Sequence, residues 1–272
     1  MQIKVDLFDA SEASKIRSGW RIQKGVIGAL ILREVLTRYG RHNIGFLWLF
    51  VEPMLFTLGV TALWTLTGND HGSSIPIVAF ALTGYSSVLL WRNMPFRCIS
   101  AIEPNLSLLY HRQVQVLDFY ISRIILEFAG ATISFAVLGT FFVAIGWLDP
   151  PEDLLQVSQG WLLSAWFGAS LAMFLGAAAF SSEIVDRLWH PISYLLFPLS
   201  GAAFMVDYLP DLAQKYVLYL PMVHGVELLR EGYFGSKVNA KYDVMYMVAC
   251  CAVLMLISLI WTHVNSRKIV PQ

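Results

Sequence analysis

The side chains best suited to covalent chemistry are scattered through this 272-residue sequence in patterns that build no familiar catalytic centre. Cys98, Cys250 and Cys251 have neither metal-ligand spacing nor the arrangement of a disulfide framework. The six histidines stand far apart, with no HExxH or similar pair, so no metal site is expected. No GxxxxGK[ST] phosphate loop occurs, so the chain cannot hydrolyse ATP by that route. Asp149, Glu152 and Asp153 form an acidic cluster in a position that reads as a solvated loop rather than a paired-carboxylate centre. What remains is ionic. Glu52 sits beside Pro53 inside an apolar run, and ionisable groups in such runs are costly and face protein or water. Glu227, Arg230 and Glu231 fall within about one helical turn, where they can satisfy one another.

The elements that must position these groups are set by composition. Hydrophobic residues make up 57% of the chain and charged residues 14%, against about 25% charged in an ordinary soluble domain. The charges gather in the first forty residues and in short stretches between long apolar runs. A bilayer core needs about 20 mostly apolar residues per helix. Six runs qualify: about 44–66, 75–91, 124–147, 161–180, 188–206 and 244–264. The expected fold is an all-α integral membrane protein with six transmembrane helices. Residues 1–43 form an N-terminal segment, 44–264 the six-span domain and 265–272 a tail.

Lysine and arginine placement gives the orientation. With the N-terminus inside, fifteen of the 19 basic residues fall on the cytoplasmic side, eight of them before the first span. Trp91, Trp147, Trp161, Trp189 and Trp261 lie near expected span ends, where amphipathic rings favour the interface. Ser164, Gly168, Ala172 and Gly176 recur every four residues, a stripe that lets another helix approach closely, with a subunit contact as an alternative use.

Three connecting segments carry a pattern of their own. Residues 22–41 read as an amphipathic interfacial helix, with Ile27, Ile31, Leu32, Val35, Leu36 and Tyr39 on one side. Arg33, Glu34, Thr37, Arg38 and Arg41 fall on the other, Glu34 and Arg38 being spaced for an i,i+4 pair. This helix is either an anchor or the guard of an access path for an anionic substrate. Residues 93–123 mix apolar Ile99, Ile102, Leu106, Leu108 and Leu109 with Arg97, Glu103, His111 and Arg112, which suits docking to a soluble partner. Residues 207–243 are semi-apolar and broken by Pro210, Pro221 and Gly232, as expected of two short helices dipping back into the outer leaflet.

Arg33-Glu34, Thr37-Arg38-Tyr39-Gly40-Arg41, Gly45-Phe46-Leu47-Trp48 and Glu52-Pro53 resemble the opening signature of bacterial ABC-2-type exporter permeases. Ala101-Ile102-Glu103-Pro104-Asn105, the run from Leu220 to Glu227 and Arg230-Glu231 extend the likeness over essentially the whole chain. Among such permeases the chain looks most like the capsule polysaccharide export inner-membrane permeases of Gram-negative bacteria. That resemblance implies a permease homodimer with two ABC ATPase subunits, which supply the ATP and Mg chemistry, and no cofactor bound by this chain. It also implies a lipid-linked polysaccharide substrate, a periplasmic polysaccharide co-polymerase and an outer-membrane export channel, with no nucleic acid. Both termini would be cytoplasmic.

The resemblance distributes roles over the residues above. Arg33, Arg38, Tyr39, Arg41, Trp48 and Glu52 would guard the substrate's access or gate, and Arg38, Arg41, Arg92 and Arg97 either attract an anionic glycolipid head or only set the positive-inside topology, which needs no substrate. Trp64, Tyr85, Trp91, Tyr194, Phe197 and Phe204 would line a canal between the first and fifth spans of two copies, stacking on sugars. A cytoplasmic coupling helix between spans 2 and 3 would include Arg97, Glu103, Pro104, Asn105, Leu108 and Leu109. Periplasmic re-entrant helices between spans 5 and 6 would place Pro221, His224, Glu227, Arg230 and Glu231 at the outer gate. The competing readings are a permease for O-antigen, teichoic acid or another lipid-linked glycan, and a membrane-embedded lipid or sugar enzyme. A passive channel would call for a charged ring or filter sequence, which the chain lacks.

Overall fold

A computed structural model describes residues 3–39, 47–67, 75–110 and 113–269. Among the described residues there is no strand, and nine α-helices follow one another: α1 (Ile3–Tyr39), α2 (Trp48–Thr67), α3 (Ile77–Ile99), α4 (Val116–Ala144), α5 (Leu154–Ser181), α6 (Ile184–Leu199), α7 (Asp211–Val217), α8 (Pro221–Phe234) and α9 (Val244–Ile269). A 3-10 segment, Glu103–Tyr110, joins α3 to α4. Helices α4, α5 and α9 are long and apolar enough to cross a membrane, and Val51–Thr67 is a shorter apolar helix.

Helix α5 is the spine, and its small residues explain why. An added Cβ at Gly160 would stand 2.6 Å from the Leu229 nitrogen of α8, and one at Gly168 would stand 2.9 Å from the Leu90 carbonyl of α3. At Gly176 it would meet the Tyr120 ring of α4 at 2.8 Å. Ser164 and Ala172 are buried on the same seam. The four-residue stripe therefore packs helices of one chain together, by letting backbones approach where side chains would hold them apart. Helix α9 joins the spine through Ser258, which donates to the Ser170 carbonyl, and Asn265, which donates to the Ala177 carbonyl.

These pairings give directions. Leu90 and Cys98 of α3 lie opposite Gly168 and Gly176 of α5, so those two helices run the same way. Phe135 stacks on Trp161 while Tyr120 meets Gly176, so α4 runs against them. Helix α8 is antiparallel to α5, with Gly225 opposite Ser164 and Gly232 opposite Gln156. Eight residues of α5 separate those levels, about 12 Å at the helical rise. The bundle thus has one end carrying α1 and the 3-10 segment, and another carrying the 145–153 loop and α7–α8.

Two elements differ from expectation. The fifth apolar run, 188–206, is helical only to Leu199, and 16 residues reach about 24 Å, short of a bilayer core. Backbone groups beyond Ser200 are taken up by α8 instead. Residues 93–99 continue α3 despite Pro95, leaving the 3-10 segment as the only helical piece of the 93–112 stretch beyond α3 among the described residues.

Candidate functional site

At the α1 end, two carboxylates and three guanidiniums interlock. Glu34 and Arg38 of α1 pair one turn apart at 2.9 Å, as their spacing predicts. Arg38 also reaches Glu127 of α4 at 2.5 Å, and Glu127 takes Arg97 of α3 at 3.1 Å. Arg123 of α4 pairs with Glu34 at 3.2 Å and donates to the Arg97 carbonyl and to Ser100 Oγ. Helix α1 is held further along by Gln23, which donates to Asp118 of α4. Arg33 donates to Asn105 Oδ1 at 2.7 Å and to the Pro104 carbonyl. One network therefore ties α1, the end of α3, the 3-10 segment and the start of α4.

The charged side of α1 is the one that packs on the bundle, a choice that the expectation of an interfacial helix leaves open. Glu34 and Arg38, at 15% and 12% side-chain exposure, turn into the bundle beside buried Leu30, while Leu32 and Leu36 are exposed. The charged side won the inward position because Arg123 and Glu127 wait there as partners, which a hydrophobic periodicity cannot register. Glu127 and Arg123 were the residues missed from sequence. The signal was present: Glu127 is an acid within the apolar run 124–147.

The remaining residues of that end are dispersed. Trp48 is exposed on the first turn of α2, and Glu52 is half-buried with no hydrogen bond or ion pair among the described residues. Arg41 lies outside the described residues, and of Tyr39 only the backbone is described. On the 3-10 segment Asn105 and Leu109 are buried, and Leu108 is half-buried. Asn105 is locked by its bond to the Ala101 carbonyl and by Arg33. Glu103, Pro104, Leu106 and Tyr110 face outward, Tyr110 at 86% exposure.

The α8 end holds a second set. Arg230 is fully buried. One of its terminal nitrogens donates to the Gly201 and Phe204 carbonyls at 2.6 and 2.7 Å, and the other to the Ala202 carbonyl at 2.7 Å. Its guanidinium lies 3.8 Å from the Phe80 ring centroid, and a Cβ at Gly84 would collide with both Arg230 and the Ala202 carbonyl. Burial pulls the Arg230 pKa down to about 10, which still leaves the group charged at neutral pH. Glu227 accepts the Val206 and Lys241 amides, and burial raises its pKa against the opposing pull of Arg230. The expected mutual ion cluster is not what forms. Arg230 spends its donors on carbonyls of the segment after α6, and Glu231 takes Gln156 and Tyr242 at 2.5 Å each.

His224 bridges α8 to the start of α9. Its Nδ1 accepts the Asp243 amide at 2.8 Å, so Nε2 carries the proton and donates to the Leu218 carbonyl. Burial holds its pKa below the ordinary value. Pro221 opens α8, where its missing N–H costs nothing.

Of the aromatic residues, Trp91 is 1% exposed in a core with Val88, Phe167 and Trp189. Trp64 packs against Phe80, and Phe204 is half-buried over Val206 and Val223. Tyr85, Phe197 and Tyr194 gather between α3 and α6, Tyr85 meeting Phe197 edge-on at 5.9 Å. Arg92 stands 4.2 Å from the Tyr194 ring centroid. A cleft of about 580 Å³ between α4 and α5 contains none of the residues assigned to the gate, canal, coupling segment or re-entrant helices. Among the described residues no group of three His, Cys, Asp or Glu side chains gathers as metal ligands would.

The ABC-2 type transporter family matches residues 25–234. The capsule polysaccharide export inner-membrane protein CtrC of Neisseria meningitidis serogroup B is 46% identical over 251 residues, covering 92% of this chain and 95% of that protein. The capsule polysaccharide export inner-membrane protein BexB of Haemophilus influenzae is 43% identical over the same shares of the two chains. The polysialic acid transport protein KpsM of Escherichia coli is 29% identical over 248 residues, covering 85% and 91%.

Proposed function

The chain belongs to the ABC-2 type transporter family, and we propose that it is the permease subunit of a transporter that exports lipid-linked capsular polysaccharide across the bacterial inner membrane. The observation that carries this reading is the 46% identity to CtrC over nearly the full length of both chains. Relatives named for capsule polysaccharide export and for polysialic acid transport favour a capsular cargo over O-antigen or teichoic acid. The protein acts as a homodimer driven by two separate ATPase subunits, with both termini cytoplasmic. The α1 end is then cytoplasmic and the α8 end periplasmic. The exposed side of the 3-10 segment, with Glu103, Leu106 and Tyr110, receives the ATPase. The charge network behind it passes that motion to α1 and α4 as one unit.

Beside the bundle, α2 and α6 keep apolar faces open, including Leu55, Phe56, Leu63, Leu188, Ile192 and Leu195. The second copy covers part of these and completes a canal. Helices α7 and α8 re-enter from the periplasmic side and close it, with Arg230 holding the end of α6 against α8.

The test is complementation. In a meningococcal strain lacking ctrC, this chain is expected to restore surface capsule, and to co-purify in mild detergent with an ATPase subunit and retained glycolipid. Recovery of the chain alone, with polysaccharide held inside the cell, overturns the proposal.

A further inference from the structure

Sequence placed four arginines where an anionic head would first meet the protein: Arg38, Arg41, Arg92 and Arg97. Structure separates the described three. Arg38 and Arg97 are neutralised by Glu34 and Glu127. Among the described residues no carboxylate pairs with Arg92. Arg92 lies seven residues inside the C-terminal end of α3, about 10 Å along the axis. It follows directly on the apolar run 75–91, and there a half-buried guanidinium without an acid is available to an anion.

Its surroundings show what contact. The guanidinium lies over the ring of Tyr194, which is 63% exposed, and Arg92 Nε is enclosed with no hydrogen-bond partner. A ring supports the face of a guanidinium and leaves the N–H edge unspent, and that edge is shaped for a carboxylate or phosphate. The rows of α3 and α6 run antiparallel here. Phe96 meets His190, Arg92 meets Tyr194 and Tyr85 meets Phe197; Tyr194 and His190 are exposed, Phe96 and Phe197 are half-buried and Tyr85 is buried. Rings beside a guanidinium suit an acidic sugar, with apolar C–H faces on the aromatics and the oxyanion on the arginine.

We infer that Arg92, supported by the exposed ring of Tyr194, forms an oxyanion subsite for the polyanionic glycan at the cytoplasmic end of the apolar run of α3. The inference rests on the export reading for its choice of ligand. A single cation held by a ring, with no second basic residue beside it among these partners, binds each anionic repeat weakly enough to release it. That is what a site along a translocation path requires.

The test is binding, which does not depend on export. The full permease with its ATPase subunit, in nanodiscs of neutral lipid, is titrated with oligogalacturonate, with dodecyl phosphate and with neutral maltohexaose. R92Q is expected to weaken oligogalacturonate by roughly tenfold or more, the size of a lost charged hydrogen bond, and to leave maltohexaose unchanged. R92K keeps most of the affinity, and Y194L, which leaves the charge in place, loses a smaller part. Loss confined to dodecyl phosphate supports the subsite and assigns its anion to the lipid anchor. Equal affinity of R92Q and parent for both anions, or no anion binding by the parent, overturns the subsite while leaving the complementation result untouched. Failed complementation with Arg92-dependent binding does the reverse.

Discussion

Replacing Glu127 by glutamine removes the carboxylate that α4 offers to both Arg38 and Arg97. Arg38 keeps Glu34 at 2.9 Å, and Arg97, at 37% exposure, can recover water. Breaking a fully buried pair costs about 3–5 kcal/mol, so with one partner retained the loss here is about 2 kcal/mol. Glu127 holds α1 down, so this cost falls on the docking of α1. Leu30, 8% exposed on the inward side of α1, provides the reporter: in an L30C background with Cys98, Cys250 and Cys251 replaced, maleimide labelling measures how often α1 lifts. Two kcal/mol predicts a labelling rate about 30-fold higher in E127Q, since every ~1.4 kcal/mol is a factor of ten. R38Q should act similarly. The double variant should fall short of the summed effects by about 1 kcal/mol, because both substitutions break the same contact. E127Q labelling within about twofold of the parent, or strict additivity, would refute the claim that this network docks α1.

The α8 end predicts differently. R230M leaves three carbonyls without their donor and should cost about 3–5 kcal/mol in detergent melting, with R230K intermediate because an ammonium lacks the fork. An unchanged melting point in R230M would break the assignment. For His224 the folded pKa lies below the ordinary 6.5, so the unfolded chain takes up the proton first as pH falls. Its contribution is therefore complete above pH 6.5 and is lost on acidification towards the lower folded value; melting followed between about pH 8 and about pH 5 should fall less in H224Q than in the parent. In the spine, G168A would press a methyl into the Leu90 carbonyl and the Trp91 backbone, costing about 1–3 kcal/mol. G28A meets nothing within 4 Å on the exposed side of α1 and should be neutral or stabilising when both are compared by thermal unfolding.

Apolar runs located the long helices to within several residues at most ends, because length and hydropathy alone decide whether a segment suits a bilayer. The run 161–180 underestimated α5 by starting at Trp161, since Asp153 caps the helix through the Leu155 and Gln156 amides two turns earlier. The stripe on α5 was legible as close packing because small residues at a fixed spacing have few other uses. Charges were read less well. Glu34 and Arg38 were visible as a pair, but their inward rotation depended on Arg123 and Glu127, some 90 positions away. Arg230 was assigned to neighbouring acids because those were the partners a sequence displays. Its actual partners are backbone carbonyls, which every residue carries and no sequence marks. Trp91 read as a lining residue because aromatic composition cannot tell an inward face from an open one.

The same distinction explains how the molecule uses its cations. Arg38, Arg97, Arg123 and Arg230 each sit where acids or carbonyls already claim them, and in each case two or more elements are joined by the claim. Such groups cannot serve a passing anion without loosening the structure, since an incoming phosphate would compete with Glu34 and Glu127 for the same donors. Arg92 is different: its support is a ring, which leaves its N–H donors uncommitted and asks for no charge in return. The positive charge needed to hold the bundle and the positive charge available to cargo are thus carried by different residues. Neutralising the first kind should alter packing whether or not substrate is present, and neutralising Arg92 should alter only what the protein holds. That separation follows from the partners of each guanidinium and is invisible in a count of basic residues.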